Sequence, residues 1–309
     1  MKKISLLLLL TVLTMGLYAQ KMKDTRWTTG EMTVYCSEDD GTNLRFELGF
    51  AHDASTMFVK RVSTGVFEAK DPENANGMNK IKIVTYKCDR RGTVRVLYCQ
   101  NEKGTFTHAL VEVTNENNFA ETDFCNLLEG TYTGSDGKKY IFSGNSLIIN
   151  GVSSDYEPLV CEMGYVNGFM YKGQKYCFKV SENGFNLYTT NTDDGEFEYE
   201  PEKLWVKLTI DQEKNQGRWP ILKGDIVMEK YAMYYTKKQI RIMRNEIYAR
   251  HGYKFASADL TAHFSKMSWY HPVDDNSKVH LSDVENLNVS ILKNMEALSE
   301  GYLPTSVEK

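Results

Sequence analysis

The sequence lacks the short motifs that mark the commonest catalytic centres. It has no HExxH pair, no GxSxG turn and no glycine-rich phosphate loop ahead of a helix. No two carboxylates stand out as the acid/base pair of a glycoside hydrolase. The nearest approach to a metal-ligand cluster is His271 with Asp274 and Asp275, in a run, HPVDD, that is typical of a loop and turn. We therefore predict no metal and no cofactor, and a function without catalysis is favoured.

An excess of charge of one sign is also missing. The 309 residues include 37 Lys and Arg against 41 Asp and Glu, which gives a formal net charge of −4. A nucleic-acid-binding domain needs a strongly basic face. Nucleic acid is therefore excluded as a partner.

Residues 1–19 have the pattern of a secretory signal peptide. Two lysines precede an apolar, leucine-rich run, and Ala19 offers a small residue at the cleavage site. Gln20 rather than a cysteine would follow the cut, so a lipoprotein is not expected. No later apolar run is long enough to span a bilayer. We expect an exported mature chain, periplasmic or extracellular, without a transmembrane segment.

Cysteine is absent beyond residue 177, and no two cysteines form a C-x-x-C pair. This spacing argues against a zinc ribbon and against a thioredoxin-like site. An even number of cysteines in an exported chain instead predicts disulfides, with the pairing left open. The candidates are Cys36, Cys88, Cys99, Cys125, Cys161 and Cys177.

Residues 27–210 have the pattern of short β-strands. Runs such as LRFEL and IKIVTY are rich in β-branched and aromatic residues, and Asp-Gly and Asn-Gly turn signals separate them. Such spacing is typical of antiparallel meanders that close into barrels or sandwiches. We expect β module 1 over 20–120 and β module 2 over 121–210, or one β domain that contains both. Similar spacing after Asp40-Gly41 and Asp136-Gly137 is compatible with an internal repeat.

Beyond a polar segment at 211–224, which reads as a linker, the periodicity becomes helical. Thr236 with Gln239, and Ser282 with Glu285, each have the spacing of a capping box. Apolar residues then recur at helical spacing. We predict a small three-helix domain over 225–300 and a tail over 301–309. The fold class is therefore α+β, with antiparallel β-barrel or sandwich modules followed by a small three-helix domain.

The first of these helices ends in an unusual run, RNEIYARHGYKF, at 244–255. This run resembles the signature of the YARHG domain family, and the resemblance continues through Trp269-Tyr270 to the last helix. It covers about a quarter of the chain. The resemblance implies an extracytoplasmic bacterial domain that accompanies other modules, and it implies no established activity.

The residues of this run allow three interpretations. In the first, Arg250 and His251 bind carbonyls or acidic residues such as Asp259, Tyr248 packs its ring, and Gly252 supplies a left-handed turn. In the second, four side chains line a recess for an anionic or carbohydrate ligand. Those ligand-binding candidates are Arg244, Tyr248, Arg250 and His251. In the third, His251 is a catalytic acid/base.

These patterns favour a non-catalytic envelope module that binds a cell-wall polymer or a glycan. One alternative is a hydrolase of envelope polymers that uses His251. Another is a scaffolding or lysozyme-inhibitor-like role of the β modules, because the VYC run at 34–36 and the residues after it are similar to the C-type lysozyme inhibitors.

Overall fold

The computed structural model of the protein describes residues 22–30, 32–49, 54–114, 119–159, 167–192 and 199–298. The chain forms two compact units. The first contains residues 1–86 and 94–114, and the second contains residues 87–93 and 115–309. The predicted signal peptide, the predicted C-terminal tail and Cys161 lie outside the described residues. The predicted α+β class is confirmed, with β-barrels followed by a helical region.

The first unit is a closed, up-and-down barrel of eight antiparallel strands. It closes where β1 pairs with β8, with Trp27 opposite Glu112. Alternate residues face the interior, which Trp27, Phe46 and Phe67 fill as fully buried side chains. The strands are β1 (Arg26–Thr28), β2 (Thr33–Asp39), β3 (Asn43–Gly49), β4 (Ala54–Ser63), β5 (Val66–Ala69), β6 (Lys80–Cys88), β7 (Gly92–Gln100) and β8 (Phe106–Val113).

The second unit begins with a helix, α1 (Phe119–Leu128), and a second closed barrel of eight strands. The barrel closes where β9 pairs with β16, with Tyr132 opposite Ile210. Its interior is packed with aromatic rings such as Phe142 and Phe169. The strands are β9 (Gly130–Gly134), β10 (Lys139–Ser143), β11 (Ser146–Ile149), β12 (Val152–Leu159), β13 (Gly168–Tyr171), β14 (Gln174–Ser181), β15 (Gly184–Thr189) and β16 (Lys203–Ile210).

The five cysteines in the described part of the chain are all buried, and no disulfide joins any two of them. The expectation of disulfides is therefore not met among Cys36, Cys88, Cys99, Cys125 and Cys177. That expectation rested on an even count and on compartment, neither of which requires two thiols to meet in the fold. Burial raises the pKa of Cys36 to about 12 and that of Cys88 to about 11. Both side chains therefore behave as small apolar groups in the core.

The helical region follows the second barrel and belongs to the same unit. The segment predicted as a linker is structured, because it contains a short helix and a 3-10 turn (Pro220–Lys223), and Trp219 is only 4% exposed. A further 3-10 turn, Glu229–Tyr234, precedes the main helices, and a third, Asn276–Lys278, precedes the last one. The helices are α2 (Gln212–Asn215), α3 (Lys237–Arg250), α4 (Ala258–Phe264) and α5 (Asp283–Leu298). No helix in the described ranges has the length and apolar character that a membrane crossing requires.

Both predicted capping boxes are present. The Thr236 hydroxyl accepts from the Gln239 backbone N–H, and the Gln239 side chain accepts from the Thr236 backbone N–H at 2.8 Å. Ser282 and Glu285 make the same reciprocal pair at the start of α5. These contacts satisfy N–H groups that a helix start leaves without partners.

Candidate functional site

The YARHG run forms the C-terminal cap of α3. The Tyr253 N–H donates to the Tyr248 carbonyl at 3.0 Å, and the Gly252 N–H donates to the Ala249 carbonyl at 2.9 Å. These two bonds define a Schellman motif with His251 as the C-cap residue. The rings of Tyr248 and Tyr253 lie 5.5 Å apart and supply the apolar contact that accompanies this motif. Tyr248 thus packs its ring, as the structural interpretation expects.

Gly252 occupies the left-handed position of this cap, with φ of +76°. A Cβ atom at this position would lie 2.5 Å from the His271 carbonyl oxygen. The Gly252 carbonyl also accepts the Val273 N–H at 2.8 Å. Both the conformation and the close approach of the 271–273 backbone therefore require glycine.

Two residues of the run attach α3 to α5. Arg244 donates through Nε and Nη2 to the Glu296 carboxylate at 3.0 and 2.9 Å. His251 Nε2 lies 2.8 Å from Glu285 Oε1, while Glu285 Oε2 accepts the Ser282 N–H of the capping box. One carboxylate therefore caps the start of α5 and binds the end of α3.

Arg250 does not contact α5 in this way; it binds the segment that precedes α3. Its guanidinium contacts Glu246 at 2.5 Å, and both side chains are buried, at 8% and 2% exposed. It also donates to the Gln216 and Trp219 carbonyls at 2.9 and 2.8 Å. Asp259, given as an example of an acidic partner for Arg250 and His251, pairs instead with Arg241 at 2.5 Å.

The buried Glu246 carboxylate binds two backbone N–H groups of the same loop. It accepts the Arg218 N–H at 2.8 Å and the Trp219 N–H at 3.1 Å. Immediately before these contacts, Gly217 has φ of +127°, and a Cβ atom there would overlap the Glu246 carboxylate. We refer to Glu246 and Arg250 together as the loop clamp, because they fix the backbone of residues 216–219.

Beside the clamped loop lies a groove between the second barrel and the helices, with a volume of about 680 Å³. We call it the barrel–helix groove. Its size is within the range of about 300–1,000 Å³ typical of small-molecule sites. Its walls come from the β14–β15 turn (180–183), Gln212, Arg218-Trp219, the first turns of α3 and one face of α4.

The groove carries a net positive charge. Its lining includes the cations of Arg218, Lys238, Arg241 and Lys266 against two carboxylates, those of Glu182 and Asp259, which leaves an excess of two cations. Hydrogen bonds from Arg241 and Ser257 hold the pKa of the Asp259 carboxyl well below its ordinary value, so this pair is internally neutralised. Burial lowers the pKa of His263, which leaves that ring uncharged at neutral pH. Lys238 and Lys266 are exposed at the rim.

The comparisons with known proteins agree with the resemblance of the signature run. Residues 221–297 match the family model of the YARHG domain. The matched YARHG domain is a quarter of the chain and includes the Schellman motif, the loop clamp and two walls of the groove. No curated protein and no solved structure matches the chain. A YARHG domain indicates an extracytoplasmic module of unknown activity, and the match names no ligand and no reaction.

The structure brings the predicted site residues together only in part. Three of them, Arg244, Tyr248 and Arg250, lie on the C-terminal half of α3, and His251 and Gly252 form its cap. None of the four ligand-binding candidates is among the described residues that line the groove. A direct ligand contact by these four side chains stays a prediction, and each of them has a partner within the protein.

Sequence reasoning missed the groove cations. Arg218 lies in the segment that was expected to be a linker, and Lys238 and Lys266 are exposed lysines with no motif around them. The spacing of Glu246 and Arg250, four residues apart on one helix, was a visible signal for the loop clamp.

Proposed function

We propose that this protein is a non-catalytic binding module of the bacterial cell envelope, and that its barrel–helix groove binds a cell-wall or glycan component. The observation that carries the proposal is the groove itself, which combines excess positive charge with uncharged hydrogen-bonding side chains. The uncharged groups that line it include Asn183 and Gln212. Amide side chains suit sugar hydroxyls, since each offers both a donor and an acceptor.

The positive charge favours an acidic ligand over a neutral one. Cell-wall polymers and many extracellular glycans carry carboxylate groups, so the rim lysines would attract them as they approach. The extracytoplasmic character that a YARHG domain indicates agrees with such a ligand.

The alternative of a hydrolase that uses His251 has weaker support. The His251–Glu285 distance of 2.8 Å falls within the range required of a general base and its partner. However, both carboxylate oxygens of Glu285 are engaged, one by His251 and one by the capping box of α5. This arrangement supports a structural contact between the end of α3 and the start of α5 better than it supports an acid/base pair.

The proposal is tested by co-sedimentation of the purified protein with isolated cell-wall sacculi. The test variant is Lys238→Glu with Lys266→Glu, which reverses the two exposed charges at the groove rim. The matched control is Lys278→Glu with Lys293→Glu, two exposed lysines of the same domain that do not line the groove. Surface charge contacts contribute up to about 1 kcal/mol each, so reversal of both should weaken binding about tenfold.

The control variant should bind within about twofold of the original protein, because its charge changes by the same amount at a distance from the groove. Equal loss in both variants would show that binding depends on overall charge alone. If the original protein does not bind sacculi, the cell wall is excluded as its ligand.

A further inference from the structure

The half-buried Arg218 differs from the arginines of α3 in its polar partners. On α3, Arg241 pairs with Asp259, Arg244 with Glu296 and Arg250 with Glu246. Within the part of the chain that the structure describes, Arg218 forms no salt bridge, although the charges of Glu246 and Glu182 lie near enough to act on it. Its guanidinium donates through Nη2 to the Ser181 carbonyl at 2.7 Å.

The surroundings of Arg218 make this lack of an ion pair costly. Burial lowers the pKa of its guanidinium, although Tyr235 and Glu246 act in the opposite direction. An arginine stays protonated even so, since its ordinary pKa is above about 12. The side chain also lies 4.7 Å above the Trp219 ring, which fixes its plane. A charged group held in one orientation at a groove wall is prepared to receive an anion.

The loop clamp determines where this guanidinium is placed. Glu246 accepts the backbone N–H of Arg218 itself, and Arg250 holds the carbonyls on both sides, at Gln216 and Trp219. Gly217 leaves room for the carboxylate to approach. Arg250 of the YARHG run therefore binds the loop that carries Arg218, and it is not among the residues that line the groove.

We propose that the groove binds a carboxylate-bearing cell-wall or glycan component, that Arg218 holds the carboxylate, and that Glu246 and Arg250 are positioning residues for Arg218. This inference rests on the proposed function and names the chemical group that the groove recognises. A guanidinium has five N–H donors in a planar fork that matches a carboxylate, and Arg218 uses one of its nitrogens for Ser181. The rim lysines, Lys238 and Lys266, add attraction without fixed geometry.

The first experiment changes the ligand and leaves the protein intact. Binding of the purified protein is measured to untreated sacculi, to sacculi whose carboxyl groups have been converted to amides, and to polygalacturonate. We expect at least about a tenfold weaker affinity for the amidated sacculi, since a charge-assisted pair has been removed. Equal binding to both forms of sacculi would overturn the carboxylate inference and leave wall binding in place.

The measurement with polygalacturonate distinguishes a carboxylate of the cell wall from a carboxylate of a uronic-acid glycan. Binding to polygalacturonate without binding to sacculi would support a uronic-acid glycan and reject the wall as the ligand. Absence of binding in all three arms would overturn both the proposed function and this inference.

The second experiment changes the protein. Arg218→Gln should lose about tenfold in affinity for untreated sacculi and little for amidated sacculi, and Arg218→Lys should recover part of the loss. Arg26→Gln is the matched control, because it removes the same charge from an exposed side chain of the first barrel. An Arg218→Gln variant that folds and binds like the control would overturn the role of Arg218.

If Arg250 positions Arg218, a change at Arg250 should alter how well the protein distinguishes untreated from amidated sacculi. Arg250→Lys should reduce the ratio of affinities for untreated and amidated sacculi, because a misplaced Arg218 no longer distinguishes the two. A purely structural role would weaken both affinities and preserve their ratio, and that result would overturn the positioning role. If either variant fails to fold, the amidation experiment on the original protein still decides the ligand chemistry.

Discussion

Substitution of Gly252 by alanine tests the interpretation of the YARHG run as a helix cap. A left-handed conformation costs a non-glycine residue about 1–2 kcal/mol. The new Cβ would also lie 2.5 Å from the His271 carbonyl, and relief of that overlap should cost about 1–3 kcal/mol more. We therefore expect Gly252→Ala to lower the free energy of unfolding by about 2–5 kcal/mol.

The second barrel offers a matched control for this prediction. Gly137 has nearly the same φ, +77°, and a Cβ there would meet no heavy atom within 4 Å. Gly137→Ala should therefore cost only the conformational part, about 1–2 kcal/mol. Urea unfolding followed by tryptophan fluorescence and far-UV circular dichroism measures both variants. Equal losses in the two variants would show that the close approach of the 271–273 backbone does not limit this position.

Three further predictions concern buried groups. Glu246→Gln should lower the free energy of unfolding in urea by about 3–5 kcal/mol, because it leaves the Arg250 cation buried without a carboxylate. A loss below about 1 kcal/mol would contradict the loop clamp. Burial lowers the pKa of Lys230 to about 7, so the unfolded chain holds this proton up to about pH 10 and the folded chain does not. The free energy of unfolding should therefore rise between pH 7 and 10 relative to Lys230→Met, and parallel pH profiles would refute this. Because burial raises the pKa of Cys36 and Cys88, iodoacetamide at pH 8 should modify both at least about a hundredfold more slowly in the folded protein than in urea, and similar rates would contradict their burial.

Features that depend on neighbouring residues in the sequence were predictable. The capping boxes at Thr236 and Ser282 each join groups three residues apart, and the structure has both. The turn at Gly252 was also predictable, because a glycine after a helical stretch ending in Arg and His is typical of a C-terminal cap. The regular spacing of short strands and turn dipeptides predicted barrels or sandwiches, and the structure has barrels.

Features that depend on contacts between distant segments were not predictable in the same way. The groove forms because the β14–β15 turn lies opposite α3 and α4, more than fifty residues later in the chain. The partners of Arg244 and His251 lie on α5, and no local pattern connects them with the end of α3. Asp259, suggested as an example of an acidic partner, pairs with Arg241 instead, whereas Arg250 binds Glu246, one helical turn before it.

The cysteines show the limit of inference from composition. Their even number suggested disulfides, whereas the structure buries five of them without a bond between any two. Alternation along strands explains part of this result, since Cys36 and Cys99 stand at interior positions of the first barrel. At such positions a cysteine is a small apolar residue that fills space.

Hydrogen–deuterium exchange of the intact protein, with and without soluble fragments of cell wall, would test the groove as the binding site. Binding there should slow exchange in three segments that contain groove-lining residues, namely 180–183, 218–219 and 262–266, and should leave the first barrel unchanged. Slowed exchange confined to other segments, or unchanged exchange at saturating fragment in a sample that demonstrably binds sacculi, would contradict a ligand site between the second barrel and the YARHG domain.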